Sequence, residues 1–227
     1  MADGRADVAD VADVADGAGW VVLGAGGHAR SVVDVLERLG REVVAVTGAV
    51  AEGETPWHVE VLADDREAFE LVRARGLHAV VAIGANAARS GLVHDLLTAG
   101  LSVPPVVAAT ATVSPRAVLG AGTVVLEHAH VGPASRLGDA VVVNTAAVVE
   151  HDCRVGAGAH VAPGATLLGG ASVGSGTLVG SGARILPLVG VGAGATIGAG
   201  AVVTGHVPEG RTVVGVPAVT RGAGGPL

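Results

Sequence analysis

A six-residue repeat runs from Val113 to Val203 without losing phase. Stepping by six from Val113 meets sixteen positions, and every one is Val, Leu or Ile. Four residues after each comes Ala, Thr, Ser, Cys or Val, never anything larger. A helix of period 3.6 cannot hold that register, and the two-residue alternation of a strand does not generate it. A hexapeptide period of this kind predicts a parallel β-helix.

A second period lies inside the first. The residue after the aliphatic is Gly at 120, 138, 156, 174 and 192, a spacing of eighteen. Three interleaved series imply three faces and one coil per eighteen residues. The aliphatic and the small residue point inward and stack on their equivalents one coil away. Glycine after the aliphatic suits a corner that needs positive φ. Sixteen hexads make a prism about 25 Å tall at the usual strand spacing.

The core must then be built from small aliphatics. Composition agrees: half the chain is apolar, yet Trp20, Trp57 and Phe69 are its only aromatic residues. The net charge of −7 argues against nucleic acid as a partner. A single cysteine, Cys153, excludes an internal disulfide and fits a reducing, cytoplasmic setting. It occupies an inward hexad slot, so it reads as packing, not as a nucleophile. No apolar run approaches the ~20 residues of a membrane span, and the acidic N-terminus lacks the basic region of a secretion signal.

Residues 1–18 carry the acidic repeat VADVADVAD and read as a disordered tail. Residues 19–102 read as a small Rossmann-like α/β domain. Strands are predicted at Trp20–Leu23, about 42–46 and 78–83, with helices at about 30–39 and 90–97. Residues 103–208 form the β-helix, and 209–227 a closing segment with a Gly-rich, mobile end. The first strand runs into Gly24-Ala25-Gly26-Gly27-His28-Ala29. GxGxxA invites a dinucleotide reading, but an NAD site wants an acid after strand two, where this chain has Val46-Thr47-Gly48. What survives is an anion site, because N–H groups at a helix start hold phosphate.

Three motifs then stand together: the GAGGH loop, Glu150-His151-Asp152-Cys153, and His160-Val161-Ala162-Pro163-Gly164-Ala165. In this combination the chain, over about residues 19–220, resembles the sugar O- and N-acyltransferases, which include sialic acid O-acetyltransferases and nucleotide-aminosugar N-acetyltransferases. The resemblance implies a left-handed β-helix, acetyl-CoA as cosubstrate, no metal, and a homotrimer. It implies that His151 is the general base and that Asp152 orients it. Acetyl-CoA contacts are implied for His160, Asn144, Gly169, Ser181 and Ala199. The nucleotide sugar is implied to bind Gly26, Gly27, His28, Ile83 and Gly84. The chain departs from the family's usual pattern after strand two, where aspartates are replaced by Gly48-Ala49-Val50.

The residues themselves point the same way. His151 is third in its hexad, so it faces outward at a corner, and its neighbour is a carboxylate. Imidazole titrates near neutral pH and suits general base work. Gly169 lies one coil on, where its N–H can face a thioester oxyanion. His160 lies nine residues past His151, half a coil, so the two belong on opposite sides of one prism. They share a site only if neighbouring subunits supply one each. The expected reaction is N-acetylation of a nucleotide-linked aminosugar. O-acetylation of sialic acid or another sugar hydroxyl is the alternative within the class, and a non-catalytic binding β-helix the alternative outside it. A γ-class carbonic anhydrase does not fit: the gaps between His128, His130, His151 and His160 match no three-histidine zinc set.

Overall fold

The computed structural model describes residues 6–7, 18–48 and 57–220. The acidic repeat, residues 8–16, and the Gly-rich C-terminal end lie outside them. Within the tail read as disordered, Ala6–Asp7 (β1) instead pairs antiparallel with Val118–Leu119. The physical reason is an open edge: Val118–Leu119 is the first parallel strand of its sheet, so its outer N–H and C=O groups accept a partner.

The α/β domain runs Trp20–Leu23 (β2), Gly27–Arg38 (α1), Val43–Thr47 (β3), Glu60–Leu62 (β4), Asp65–Arg75 (α2), His78–Val81 (β5) and Asn86–Thr98 (α3). Its four strands are parallel in the order β4-β3-β2-β5. All four side chains of β2 are buried, because helices cover both faces of the sheet. The sequence reading missed β4 and α2. The start of α2 was nevertheless written as a capping pattern. The Asp64 carboxylate accepts from Glu67 N–H at 2.9 Å, and the Glu67 carboxylate accepts from Ala63 N–H at 2.9 Å.

The rest of the chain is a left-handed parallel β-helix of two-residue strands. Each pairs in parallel with the strand eighteen residues on: Val124–Val125 with Val142–Val143, His130–Val131 with Val148–Val149, Arg136–Leu137 with Arg154–Val155. The three faces are named here for Leu119, Val125 and Val131. The hexad aliphatics from Leu119 to Val203 are all buried. The first coil strand is Val106–Val107, one hexad before the unbroken repeat opens at Val113. It ends with a shortened turn, since Val191 bridges Val207 and Ile197 pairs with Val213, each sixteen residues apart.

The corners correct the expectation for glycine. From Leu119 to Ile197 positive φ falls three residues after each aliphatic, as at Gly158 (67°), Gly164 (66°) and Asp152 (60°), and not at the glycines that follow it directly. Those glycines answer a different need. A Cβ on Gly138 would lie 2.7 Å from Ala157 N in the next coil, and Gly120, Gly156, Gly174 and Gly192 face the same backbone approach.

The two domains share a seam. The cluster on the α1 side of the sheet includes Val106, Ala108, Val124 and Leu126 of the β-helix, and the α3-side cluster includes Val103 and Ala140. Val124 and Val142, which point outward from the Val125 face, are therefore fully buried. The next residue along that outward row is His160.

Candidate active site

His151 and Asp152 form the corner between the Val131 and Leu119 faces, with side chains 60% and 67% exposed. His151 Nδ1 lies 2.9 Å from Asp152 Oδ2. A carboxylate can only accept, so Nδ1 donates, and in the neutral ring Nε2 keeps the lone pair. That nitrogen hangs over Gly169 in the next coil, where a Cβ would stand 2.6 Å from both Cε1 and Nε2. Only glycine leaves the ring in place. Gly169 N–H donates to no backbone carbonyl among the described residues. The corner thus sets Nε2 over a residue whose N–H no described backbone carbonyl takes.

His160 has a different setting. It lies on the Val125 face, opposite the His151 corner, so the structure does not bring the two together within one chain. Asn144 Oδ1 accepts from Thr145 N–H at 2.8 Å, which turns Asn144 Nδ2 toward His160 Nε2 at 3.0 Å. An amide nitrogen only donates, so Nε2 accepts. The His28 ring stands 6.4 Å from that of His160. Burial, with the Arg89 charge second, lowers both histidines from 6.5 to about 4; for His160 the His28 neighbour adds to this and a backbone hydrogen bond at Gly84 opposes it. His28 Nε2 is buried and has no hydrogen-bond partner among the described residues.

The remaining predicted residues sort between these two places. Gly169 belongs to the His151 corner. Asn144 joins His160, and Ser181 and Ala199 stack one coil apart on the exposed corner between the Val125 and Val131 faces. Gly26 caps α1, Gly27 is its first residue, and the first turn holds no acid and no side-chain cap. A Cβ at either glycine would meet open space. The N–H groups of that helix start are free to hold an anion. Ile83 and Gly84 follow β5 beside them. At the end of β3, the Thr47 hydroxyl donates to Asp65 Oδ1 at 2.8 Å and also accepts from Gly24 N–H at 3.3 Å. The carboxylate near the glycine loop therefore comes from α2, a helix the sequence reading did not contain.

Cys153 is fully buried, with Sγ 3.4 Å from Leu168 O, and burial pushes its thiol upward. That is the setting of a packed residue. No three His, Cys, Asp or Glu side chains gather to hold a metal among the described residues. A groove of about 800 Å³ runs over the Leu119 face past Arg136, Arg154 and Ser172, and neither histidine lines it.

Sequence reasoning missed Arg89 altogether. It is fully buried in α3, and its guanidinium donates to backbone carbonyls of both domains. Nothing in its local sequence marks it, because its β-helix partners lie 51 and 69 residues away.

Residues 20–96 match the model of the PglD N-terminal domain. Among solved structures, PerB from Caulobacter crescentus, in complex with CoA and GDP-perosamine, is 38% identical. The match covers 90% of this chain and 97% of that one, with a TM-score of 0.83. The acetyltransferase domain of PglB from Neisseria gonorrhoeae, in complex with acetyl coenzyme A, is 35% identical. There the coverage is 89% and 98%, with the same TM-score of 0.83. WeeI from Acinetobacter baumannii, at 22% identity and a TM-score of 0.56, shares the fold over 89% of this chain and 99% of that one. No curated protein sequence matches.

Proposed function

The chain belongs to the left-handed β-helix family of sugar acyltransferases, and on that premise we propose that it transfers acetyl from acetyl-CoA to the amino group of a nucleotide-linked aminosugar, with His151 as general base. The observation that carries the residue assignment is the His151–Asp152 hydrogen bond, which makes Nε2, set over Gly169, the lone-pair nitrogen of the neutral ring.

The acceptor's neutral amine attacks the thioester carbonyl through its lone pair, and the C–N bond forms. The Gly169 N–H supports the resulting oxyanion. His151 Nε2 takes the proton that the now cationic nitrogen must lose. Collapse breaks the C–S bond, and the CoA sulfur takes that proton from His151 and leaves as the thiol. Asp152 keeps the ring in the tautomer this needs. The diphosphate of the nucleotide sits at the α1 start, against Gly26 and Gly27, with His28, Ile83 and Gly84 around it. Asn144, His160, Ser181 and Ala199 line the acetyl-CoA side.

One subunit cannot assemble this site, since His151 and His160 occupy opposite sides of the prism. A homotrimer, with each site built from the His151 corner of one subunit and the His160 side of its neighbour, resolves that. No described helix is long and apolar enough to cross a membrane. A lone buried thiol and a need for acetyl-CoA support a cytoplasmic enzyme.

The test is a thiol-release assay with acetyl-CoA. A panel of 3-amino, 4-amino and hydroxy nucleotide sugars is compared with the same sugars lacking the nucleotide. Turnover confined to the nucleotide aminosugars is expected. Equal catalytic efficiency with and without the nucleotide would overturn the acceptor assignment, and preference for a hydroxyl sugar would overturn N-transfer. An active monomer in light scattering would refute the shared site.

A further inference from the structure

From Gly122 to Gly200 every corner of the β-helix turns on a left-handed residue. Between the Leu119 and Val125 faces these residues are Gly122, Ala140, Gly158, Gly176 and Gly194, one per coil, with φ of 64°, 56°, 67°, 66° and 62°. The carbonyls of Ala140, Gly158 and Gly176 accept from no backbone N–H among the described residues. Helix α3 lies along this column and meets it with side chains. Asn86 Nδ2 donates to Gly176 O at 2.9 Å. Arg89 donates through Nη2 to Gly158 O at 2.8 Å and through Nε to Ala140 O at 2.8 Å. Val93 closes on Gly122.

The same guanidinium turns back to its own domain. Arg89 Nη1 donates to Ile83 O at 2.9 Å and Gly84 O at 3.1 Å, and Nη2 to Asn86 Oδ1 at 2.8 Å. One planar group therefore fixes both the Ile83–Gly84 loop and two coils of the β-helix. Burying a cation without a carboxylate is expensive, and an apolar seam would hold two domains together as well. Burial does weaken its hold on the proton, to about 10, which still leaves it charged at neutral pH. What an apolar seam could not provide is a rigid fork of five donors that sets distance and angle at once.

We propose that Arg89 is a positioning residue for the acceptor. It sets the Ile83–Gly84 loop at a fixed place against the β-helix, so that a sugar held by the N-terminal domain reaches the acetyl-CoA side in register. The proposal rests on the reading of Gly26, Gly27, His28, Ile83 and Gly84 as the acceptor site. Asn86 shares the task, because it ties the start of α3, just past the loop, to Gly176 and also holds the Arg89 fork.

The experiment compares Arg89→Met, Arg89→Lys, Asn86→Ala and Gly84→Val in the full-length enzyme. The acceptor is the nucleotide aminosugar turned over fastest in the thiol-release panel. Arg89→Met is expected to raise the acceptor KM by about tenfold or more, as a displaced binding loop should. The acetyl-CoA KM should stay within about twofold of wild type, since only the acceptor loop is released. Arg89→Lys should restore part of the loss, and Asn86→Ala should give a smaller rise of the same kind. An unchanged acceptor KM in these three, or a parallel rise in both KM values, would overturn the proposal, because a purely structural clamp loosens both substrates together. If Arg89→Met does not fold, Arg89→Lys and Asn86→Ala decide by the same split. Gly84→Val separates the positioning role from the acceptor site itself. If it raises the acceptor KM while the Arg89 variants do not, the positioning role fails and the acceptor site stands. If it too has no effect, both fall.

Discussion

The corner at His151 and the seam at His160 hold the same residue type in opposite electrostatic settings. At the corner the imidazole is open to solvent, its neighbour is a carboxylate, and its free nitrogen faces a glycine notch. At the seam two half-buried imidazoles stand beside a buried cation and are driven neutral. The difference comes from topology. A corner of the prism cannot be covered by a second domain that lies flat on the opposite face. The outward row of that face can be, and Val124, Val142 and His160 successively enter the seam. One setting leaves a ring nitrogen open to a substrate; the other holds polar groups still. A transferase that must deprotonate one substrate and orient another has use for both.

The sharpest way to break this contrast is His151→Ala. A lost general base should lower kcat by about 10²–10⁴-fold. Wild-type turnover at saturating substrate would remove His151 from the chemistry. The seam makes the next largest prediction, in stability. The folded pKa values of His28 and His160 lie near 4, below the 6.5 of the unfolded chain, so the unfolded state binds more protons between those values. Stability is then full above pH 6.5 and falls as pH drops from 6.5 to about 4, by at most ~3 kcal/mol per histidine. Urea unfolding measured across that range should show the slope, and His160→Gln should flatten it. A slope identical in wild type and variant would sink the seam account for His160.

Asp152→Asn tests the corner more gently. An amide oxygen can still accept from Nδ1–H, but the negative charge is gone, so a loss of about tenfold in kcat is expected with the acetyl-CoA KM unchanged. No loss at all would mean that the carboxylate is incidental. The smallest effect concerns the same corner one coil earlier. Ala134 is exposed and sits at φ 60°. Ala134→Gly removes left-handed strain of about 1–2 kcal/mol. The freer unfolded chain takes back about 0.4–1 kcal/mol. A gain on the order of 0.5 kcal/mol is therefore expected by chemical denaturation. A clear destabilisation would mean that the Cβ there makes contacts that outweigh its strain.

The β-helix was legible because its information is local and repeated: each aliphatic column is written every eighteen residues in the plain order of the chain. The glycines after the aliphatics were seen but misread, since crowding against the next coil cannot be told from a φ requirement without coordinates. Helix α2 was missed although Asp64 and Glu67 spell its start, because it buries only Ala68 and Val72 and so carries little apolar stripe at helical spacing. The His151–Asp152 pair was visible as neighbours. The His28–His160–Arg89 cluster was not, because it joins three segments that only the seam brings together. His160 illustrates the limit: its hexad position gave its face, but not that a second domain would cover that face.

The column of carbonyls at Ala140, Gly158 and Gly176 also acts as a ruler. Helix α3 reads three marks on it, and a fourth contact falls at Gly122. Whole eighteen-residue coils added between Gly176 and the shortened last turn would leave every mark in place and simply lengthen the rod. A coil inserted between Gly122 and Gly176 would put the wrong rungs under the helix. Length variation in chains of this design should therefore accumulate toward the C-terminal end of the β-helix, while the first four coils keep their count.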